Sequence, residues 1–439
     1  MSNSIFLHFQ FIRLFLKKHD NLIMLNTDTK IYLSSPHMGG AEQKYINEAF
    51  DSNWIAPLGK NVDAFEEDLK NYIDPTVFVT ALSSGTAAIH LGLLLLGIKA
   101  GDEVLCQSLT FTASANPILY LNAIPVFIDS ELDTWNICPI ALEKAIIDRI
   151  QLGKKPKAII TVHLYGNPYK VNDIRIIAEK YQIPILEDAA EALGSSYKGQ
   201  KCGTFGDLSV LSFNGNKIIT TSGGGALISH SEKWRTKAIF MATQSRDNAI
   251  HYEHSELGYN YRLSNICASI GRGQMEVLDD HVALRRAMNT FYKDLFFGIS
   301  GVYVHDMPND DYFSNNWLTA ITINPNQSNG ITVTDLRLAF EAENIESRPL
   351  WKPLHLQPLY QEYPYYGTTV AQDLFAIGLC LPSGSNLTNA ERTRIKDVVQ
   401  NVFQAPKTMA YKPLLAKKRR LLEHYEFAKF FLGINYETT

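Results

Sequence analysis

The chain has 439 residues, of which 46% are hydrophobic and 20% charged, so it can bury a large core and is long enough for two or three domains. Its 41 Lys and Arg residues against 45 Asp and Glu residues give a formal charge of −4, which offers no electrostatic attraction for nucleic acid or an anionic membrane. Any anion must therefore be bound by local groups.

Five cysteines are scattered singly along the chain, without a CxxC pair or a histidine cluster at metal-ligand spacing. We therefore expect no metal centre and a reducing, cytoplasmic compartment. The longest apolar runs, such as "AAIHLGLLLLGI", are shorter than the roughly 20 residues that a membrane-spanning helix needs. No transmembrane helix is expected.

Both ends of the chain carry unusual segments. In "SIFLHFQFIRLFLKKHD" the charges follow the apolar stretch and no small-residue cleavage site is present, which is atypical of a signal peptide. We interpret residues 1–30 as an appended or mis-started extension, with a membrane-touching amphipathic helix as the alternative. The basic block "AKKRRLLEHYEFAKFFL" is expected to form a solvated helix face, with a partner or membrane contact as the alternative.

From about residue 76, short β-rich runs alternate with longer helical patterns, which indicates βαβ units on a mainly parallel sheet. In chain order the predicted elements are strand "TVFVTAL", helix "GTAAIHLGLLLLGI", strand "DEVLCQSLTF", helix "SANPILYLNA", strand "IPVFIDS", helix "PIALEKAIIDRI", strand "KAIITVHLYG", helix "VNDIRIIAEKYQ" and strand "IPILEDAA". Two further strands, "LSVLSF" and "GGALISH", are predicted to close the sheet, with a glycine run turning between them. The pattern predicts a doubly wound α/β core.

A long helical stretch, "NICASIGRGQMEVLDDHVALRRAMNTFYKDLF", is predicted to link this core to a smaller C-terminal domain. There "NNWLTAITI", "TVTDLRLAFEAENI" and "AERTRIKDVVQNVF" indicate strands mixed with helices, an α+β arrangement. We therefore expect a large α/β domain over residues 31–280, a small α+β domain over 281–404, and a basic tail over 405–439.

Ligands of an open α/β sheet bind outside the carboxyl ends of its strands, so the residues after each apolar run are informative. Ser84, Gly85 and Thr86 follow one strand and open a helix, where free N–H groups, the helix dipole and hydroxyls suit a phosphate. Ser and Thr also cap ordinary helices, which is the alternative.

Two carboxylates, Glu187 and Asp188, follow a buried-looking strand in "PILEDAAEALG". A carboxylate in such a place needs a charged partner or hydrogen-bond donors. A protonated heteroaromatic nitrogen is one candidate partner, and a structural salt bridge is the alternative. Phe111, in "QSLTFTASAN", suits stacking on a flat ring, or belongs to the core.

Lys217 lies in "SFNGNKIITTSGGGAL", after a strand and before three glycines. A lysine in a packed interior loses part of its preference for the charged form, and a neutral amine forms a Schiff base. The alternative is a surface lysine beside a turn, and the spacing excludes a Walker A loop. A phosphate turn, an aromatic ring, a strand-end aspartate and a lysine in succession are the parts that pyridoxal phosphate needs.

Six motifs resemble, in the same order, those of the DegT/DnrJ/EryC1/StrS sugar aminotransferases, which are pyridoxal phosphate enzymes. They are "MGGAEQKYINEAFDSNWIAPLGKNVDAFE", "SSGTAAIHLGL", "LEDAAEALGS", "SFNGNKIITTSGGGAL", "HYEHSELGYNYRLSNICASIGRGQME" and "ESRPLWKPLH". The resemblance runs from about Ile31 to about Phe403. It implies the aspartate aminotransferase type fold (fold type I), with a mainly parallel central sheet and a smaller α+β C-terminal domain.

The resemblance also implies roles for single residues. Lys217 would carry the cofactor covalently and then shuttle a proton, and Asp188 would bind the pyridine nitrogen. The other implied cofactor contacts are Phe111 on the ring, Gly85, Thr86 and Ser212 on the phosphate, and Asn260, which reaches the phosphate across a dimer interface. The active site is therefore expected to need two chains, as a homodimer.

Glu191 stands where many relatives carry glutamine or histidine beside the phenolic oxygen of the cofactor, so its role is left open. Relatives that remove a sugar hydroxyl replace the lysine by histidine. Because Lys217 is present, the resemblance favours transamination over a lyase or dehydratase reaction. A non-catalytic sensor on the same fold is a further alternative.

The motifs "SNWIAPLG" and "RPLWKPLH" resemble substrate-facing loops of the family. The implied nucleotide-sugar contacts are Asn53, Trp54, Ile55, Ala56, Arg348 and Trp351, with core positions for the two tryptophans as the alternative. The residues of these motifs most resemble the branch of the family that acts on UDP-linked 4-keto-6-deoxy-N-acetylhexosamines, as in bacillosamine synthesis. The resemblance thus implies amino transfer, from glutamate, to the keto carbon of a nucleotide-linked deoxysugar such as UDP-2-acetamido-4-keto-2,4,6-trideoxyhexose.

Overall fold

The computed structural model describes residues 29–404. The interpretations of the N-terminal extension and of the basic tail fall on residues 1–28 and 405–439, which lie outside the described residues. Across residues 29–404, every helix is too short or too polar to span a lipid bilayer.

The helices and strands follow the predicted alternation. The helices are α1 (Glu42–Asp51), α2 (Lys60–Ile73), α3 (Gly85–Leu95), α4 (Asn116–Tyr120), α5 (Pro139–Gln151), α6 (Val171–Tyr181), α7 (Glu232–Ala242), α8 (Asn265–Met275), α9 (Leu278–Phe296), α10 (Val333–Ala342), α11 (Val370–Ile377) and α12 (Asn389–Gln404). The strands are β1 (Phe78–Leu82), β2 (Glu103–Gln107), β3 (Ile124–Ile128), β4 (Ala158–Val162), β5 (Ile185–Asp188), β6 (Ser196–Tyr197), β7 (Gln200–Lys201), β8 (Leu208–Ser212), β9 (Gly225–Ser229), β10 (Val302–Val304), β11 (Tyr312–Phe313), β12 (Thr319–Ile323), β13 (Arg348–Pro349), β14 (Tyr365–Tyr366) and β15 (Gly378–Leu381).

The central sheet has eight strands in the order β1-β9-β8-β5-β4-β2-β3-β14. The pairs from β8 to β14 are parallel, whereas β9 is antiparallel to both β8 and β1. The mainly parallel α/β architecture is confirmed. Because β9 runs against its neighbours, β1, β5 and β8 all end at the same edge of the sheet, and the β8–β9 connection with Lys217 lies there too.

Helices cover both faces of the sheet, so most residues of its strands are buried and many are apolar, as is typical of parallel strands. On one face, Leu186 and Val210 pack with α3, and on the other, Ile185 packs with α5 and α6. Side chains alternate along a strand. Asp188 therefore lies on the α3 face, like Leu186, and Glu187 lies on the opposite face.

A second sheet, antiparallel in the order β10-β12-β15-β13, packs with α9, α10 and α12 around a separate core. Two segments cross the predicted division at residue 280: Ile31 bridges Ile345 and joins this second core, and β14 extends the central sheet beside β3. The division into domains stays a prediction.

The long helical stretch predicted after residue 264 is two helices, α8 and α9. The helix breaks at Val277, whose φ of −119° and ψ of 11° are not helical. The side chain of Val277 packs against the backbone of Gly39, where a Cβ atom would lie 2.6 Å from a valine methyl carbon. Helical periodicity alone does not reveal such a contact, because it comes from a distant segment.

Candidate active site

A cavity of about 320 Å³ lies at the carboxyl edge of the central sheet. The predicted cofactor residues that line it are Gly85, Thr86, Phe111, Asp188, Glu191, Ser212 and Lys217, and Trp351 lines it as well. The cavity lies where β1, β5 and β8 end, as expected for an open α/β sheet. Residues that are up to 266 positions apart in sequence thus meet around one space.

The first turn of α3 forms the polar end of the cavity. Ser84 is the N-cap, and its hydroxyl oxygen accepts a hydrogen bond from the backbone N–H of Ala87 at 3.0 Å. This confirms the capping interpretation for Ser84 and assigns its hydroxyl to the helix. The N–H groups of the first helical turn have no partner within the helix, so Gly85 and Thr86 offer donors for an anion.

Ser212, at the end of β8, lies against this turn. A Cβ atom on Gly85 would be 3.0 Å from the Cβ of Ser212 and 3.4 Å from its hydroxyl oxygen. Two hydroxyl groups, those of Thr86 and Ser212, therefore flank the free N–H groups at the positive end of the helix dipole. The arrangement suits a phosphate.

Gly225, in the glycine run after Lys217, explains how β9 fits beside this turn. A Cβ atom there would lie 2.4 Å from the backbone nitrogen of Gly85 and 2.4 Å from the carbonyl carbon of Ser84. Only glycine allows the two backbones this approach. Among residues 29–404, no heavy atom lies within 4 Å of a Cβ built on Gly223, so that glycine is sterically free.

This contrast gives a matched pair of variants. Gly225→Ala is expected to lose about 1–3 kcal/mol of unfolding free energy, since backbone atoms at 2.4 Å must move apart. It should also weaken binding of pyridoxal phosphate more than binding of pyridoxal, because the displaced turn is the one predicted to bind the phosphate. Urea denaturation and fluorescence titration measure the two effects, with Gly223→Ala as the control for stability. Equal stability of the two variants would contradict the packing argument.

The two carboxylates at the end of β5 have opposite environments. The oxygens of Glu187 accept hydrogen bonds from His163 Nε2, Ser209 Oγ and the backbone N–H groups of Gly203, Phe205 and Gly206. Burial alone would raise the pKa of Glu187, but the hydrogen bond from His163 and these other donors lower it. Of the predicted alternatives, a structural contact fits Glu187, because its carboxylate is bound by donors of the protein itself.

His163, Glu187 and Cys202 are all buried, and their potential ligand atoms lie within 4.8 Å of one another. The nitrogen of His163 is 2.7 Å from a carboxylate oxygen of Glu187. Because the Glu187 oxygens already accept five hydrogen bonds, a cation there would have to displace them. We interpret the cluster as a structural contact on the face of the sheet opposite Asp188.

Asp188 faces the cavity and has fewer partners. One carboxylate oxygen accepts a hydrogen bond from Ser114 Oγ at 2.7 Å, and the other accepts one from the backbone N–H of Ala190 at 3.1 Å. Burial raises the pKa of Asp188, and the hydrogen bond from Ser114 only partly opposes this rise. The positive charge of Lys217, which lines the same cavity, also favours the ionised form of Asp188.

Lys217 is an interior residue, so the surface alternative is wrong. Its side chain is 12% exposed, and its Nζ atom is 3.4 Å from a carboxylate oxygen of Glu191 and 4.2 Å from the ring centroid of Trp317. The other oxygen of Glu191 accepts a hydrogen bond from the backbone N–H of Tyr165 at 2.7 Å. Burial raises the pKa of Glu191, although the charge of Lys217 opposes the rise.

Aromatic rings form one side of the cavity. Phe111 is 49% exposed, so it is not a core residue, and its ring centroid lies 5.2 Å from that of Trp351 at an angle of 51°. Trp351 is half-buried, and its backbone N–H donates a hydrogen bond to the hydroxyl oxygen of Tyr165 at 2.9 Å. The rings of Phe111 and Trp351 are both suited to stacking on a flat ligand.

The remaining predicted residues lie outside this cavity of the single chain. They are Asn53, Trp54, Ile55, Ala56, Arg348 and Asn260, all of them exposed. Trp54 is 50% exposed, so the core alternative is wrong for it, and Arg348 pairs with Glu346 at 2.8 Å. These residues do not line the cavity of the single chain, and their roles in the site stay predictions.

Three residues of the site were not predicted from the sequence. Ser114 holds Asp188, Tyr165 holds Glu191 through its N–H, and Trp317 supports Lys217. Tyr165 has a φ of 56°, a left-handed conformation that is uncommon outside glycine. The sequence signal for these residues is weak: Ser114 lies three residues after Phe111, and Trp317 is the third residue of the predicted stretch "NNWLTAITI".

These groups fit pyridoxal phosphate. The helix turn suits its phosphate, the aromatic side suits its ring, and Lys217 offers an amine to its aldehyde. The clearest observation is Asp188, a buried carboxylate that lines the cavity and suits the protonated pyridine nitrogen, whose positive charge would stabilise the ionised carboxylate.

Comparisons with known proteins agree with this fit. Residues 36–401 match the model of the DegT/DnrJ/EryC1/StrS aminotransferase family. EpsN of Bacillus subtilis (strain 168), provisionally named a pyridoxal phosphate-dependent aminotransferase, is 52% identical over 381 residues, which cover 85% of this chain and 96% of EpsN. The GDP-perosamine synthase of Escherichia coli O157:H7 is 37% identical, over 84% of this chain and 97% of that enzyme.

A Campylobacter jejuni protein named UDP-4-amino-4,6-dideoxy-N-acetyl-beta-L-altrosamine transaminase is 38% identical, over 54% of this chain and 62% of its own length. Among solved structures, the pyridoxal phosphate form of Spr1654 from Streptococcus pneumoniae, provisionally named a sugar aminotransferase, has a TM-score of 0.78 at 25% identity, covering 86% of this chain and 99% of that chain. The chain therefore belongs to the DegT/DnrJ/EryC1/StrS aminotransferase family, whose enzymes depend on pyridoxal phosphate.

Proposed function

We propose that this aminotransferase moves an amino group from glutamate to the C4 keto carbon of a UDP-linked deoxysugar, for glycan synthesis. The observation that carries the proposal is that the half-buried Lys217 lines one cavity with Asp188 and the first turn of α3. An aminotransferase needs these three features: a covalent anchor, a partner for the pyridine nitrogen and a phosphate site.

When bound, the cofactor supplies an electron sink and carries the amino group between donor and acceptor. Lys217 is proposed to hold the cofactor and, once released by the donor, to move a proton at the substrate carbon through Nζ. Asp188 is proposed to keep the pyridine nitrogen protonated, and its burial strengthens that ion pair because the local dielectric is low.

Gly85, Thr86 and Ser212 are proposed to bind the phosphate, and Phe111 to cover one face of the ring. Their proposed roles rest on their positions around the cavity. Glu191 is proposed to lie beside the phenolic oxygen, and its contact with the Lys217 amine supports that position. Trp351 is proposed to face the sugar, because it lines the cavity next to Phe111.

Two nucleotides are candidates for the nucleotide part of the sugar substrate. The Campylobacter relative, named for a UDP-linked 4-amino sugar, supports UDP. The residues of the motifs "SNWIAPLG" and "RPLWKPLH" support it as well. The perosamine synthase relative, named for a GDP-linked sugar, favours GDP and matches a longer part of the chain. UDP is our proposal and GDP the alternative.

A substrate panel tests the proposal. The purified protein with pyridoxal phosphate and glutamate is expected to convert UDP-2-acetamido-4-keto-2,4,6-trideoxyhexose to its amine, with GDP- and dTDP-linked keto sugars reacting at least about tenfold more slowly. Mass spectrometry distinguishes amination from loss of a hydroxyl group. Amination of the GDP sugar alone would assign the alternative nucleotide, and dehydration without nitrogen transfer would overturn the aminotransferase proposal.

We also propose that Asn260 completes the site of a partner subunit, since it is exposed and lies outside its own cavity. Neither Lys217→Ala nor Asn260→Ala homodimers should be active. Mixing them under exchange conditions is expected to restore about a quarter of the wild-type rate, because half of the dimers are mixed and one of their two sites is intact.

Recovery of activity in the mixture is expected only if each active site takes residues from both subunits. If Asn260 served the cavity of its own chain, every site in a mixed dimer would carry one substitution and no activity would return. Mixing Lys217→Ala with Asp188→Asn chains provides the control, because both residues line one cavity of a single chain and no recovery is expected.

A further inference from the structure

Trp317 reaches the Lys217 loop from the second sheet. It lies two residues before β12, is 1% exposed, and lines the cavity with its ring. Its Nε1–H donates a hydrogen bond to the carbonyl oxygen of Asn216 at 2.6 Å, directly before Lys217 in the chain. The indole therefore holds the backbone of the loop at the residue next to the lysine.

The same ring contacts the lysine amine. The Nζ atom of Lys217 is 4.2 Å from the ring centroid of Trp317, a cation–π distance, and the lysine side chain is only 12% exposed. Such contacts strengthen when they are removed from water, and tryptophan is the best aromatic partner. With Glu191 at 3.4 Å, the amine has two fixed neighbours at the cavity wall.

Trp317 is itself held firmly. Its backbone N–H donates to Asn315 Oδ1 at 2.8 Å, and the side-chain amide of Asn315 donates to the carbonyl oxygen of Glu191 at 2.9 Å. Its carbonyl oxygen accepts a hydrogen bond from Arg285 at 2.8 Å, and another guanidinium nitrogen of Arg285 donates to the carbonyl oxygen of Lys217 at 3.4 Å. Trp317, Glu191 and Lys217 are thus tied into one network.

We propose that Trp317 is a positioning residue, which fixes the Lys217 loop through its N–H and holds the lysine amine at the cavity through its ring. The inference rests on the proposed role of Lys217 as the covalent anchor. Trp317 acts on the reaction through the lysine. The segment that leads into the second sheet therefore fixes the position of the amine.

A double-mutant cycle in cofactor-free protein tests this, with the dissociation constant of pyridoxal phosphate as the readout. Trp317→Leu alone is expected to weaken binding about tenfold, because the lysine loses its fixed position. In the Lys217→Ala background the same substitution should change the constant by less than about twofold, since its target is gone. Trp317→Phe keeps a ring without the N–H and should lie between wild type and Trp317→Leu.

Trp135 provides the matched control. It is 2% exposed and belongs to the same hydrophobic cluster as Trp317, but it lies outside the cavity lining. Trp135→Phe should lower the urea midpoint without changing the dissociation constant.

Equal weakening by Trp317→Leu in both backgrounds would overturn the proposal, as would no weakening in the wild-type background. If Trp317→Leu does not fold, the cycle is run with Trp317→Phe under the same criteria. Failure of the proposed function gives a different signature: Lys217→Ala alone would leave covalent capture of pyridoxal phosphate intact, whatever Trp317 does.

Discussion

Lys217→Ala is expected to lower the rate of amine transfer by more than about 10³-fold, because it removes both the covalent anchor and the group that moves the proton. The variant should also lose the near-visible absorption band of lysine-bound pyridoxal phosphate. It should still bind the cofactor non-covalently, since the turn of α3 and Asp188 are unchanged.

The rate is measured with glutamate and the best sugar of the panel, and the band by a spectrophotometric titration. Lys180→Ala is the control, because Lys180 lies on the exposed surface of α6, paired with Glu143 at 2.7 Å, and should leave both readouts unchanged. A Lys217→Ala protein that keeps the band would show that another lysine carries the cofactor.

Asp188→Asn has the second largest expected effect, and its effects on rate and on stability have opposite signs. The amide carries no charge to hold a proton on the pyridine nitrogen, so the rate should fall by at least about 10²-fold. In the cofactor-free protein at pH 7 the same variant should be more stable than wild type, because burial of the ionised carboxylate is only partly offset by Ser114, Ala190 and Lys217.

The pH dependence of stability follows from the direction of the shift. Burial raises the pKa of Asp188 above its ordinary value of 3.8, so the folded state binds more protons than the unfolded state between the two values. The contribution of this group to stability therefore falls as the pH rises through that interval. The advantage of Asp188→Asn should be full above the folded pKa and should disappear as the pH approaches 3.8.

Glu187→Gln is the matched control on the same strand. The hydrogen bond from His163 and the backbone donors outweigh burial and lower the pKa of Glu187, so its ionised form stabilises the fold above the unfolded pKa. That stability is lost as the pH falls through the folded pKa. Glu187→Gln should therefore be less stable than wild type at pH 7, and urea midpoints that move in the same direction for both variants would contradict these assignments.

The sequence predicts the parts of the site that have local signals. Asp188 and Lys217 each follow an apolar strand, and the first turn of α3 follows another, so the strand-end rule locates all three. The parallel sheet is predicted for the same reason, because its buried strands appear as continuous apolar runs between helical patterns.

The rest depends on contacts that are distant in sequence. Trp317 is 100 residues from Lys217, and its position against the lysine follows from how the second sheet packs, which no local pattern contains. Glu187 and Asp188 look alike in sequence, and only the alternation of faces and the donors around Glu187 separate their roles. Asn260 and Trp54 are exposed in the single chain and lie outside the cavity, so their roles stay predictions.

Chemical trapping tests the central claim most directly. The wild-type protein is loaded with pyridoxal phosphate, reduced with borohydride and digested, and the peptides are mapped by mass spectrometry. The account predicts one modified site, Lys217, in the segment "SFNGNKIITTSGGGAL", at close to one cofactor per chain. Modification of a different lysine, or reduction that leaves Lys217 unmodified in fully loaded protein, would contradict it.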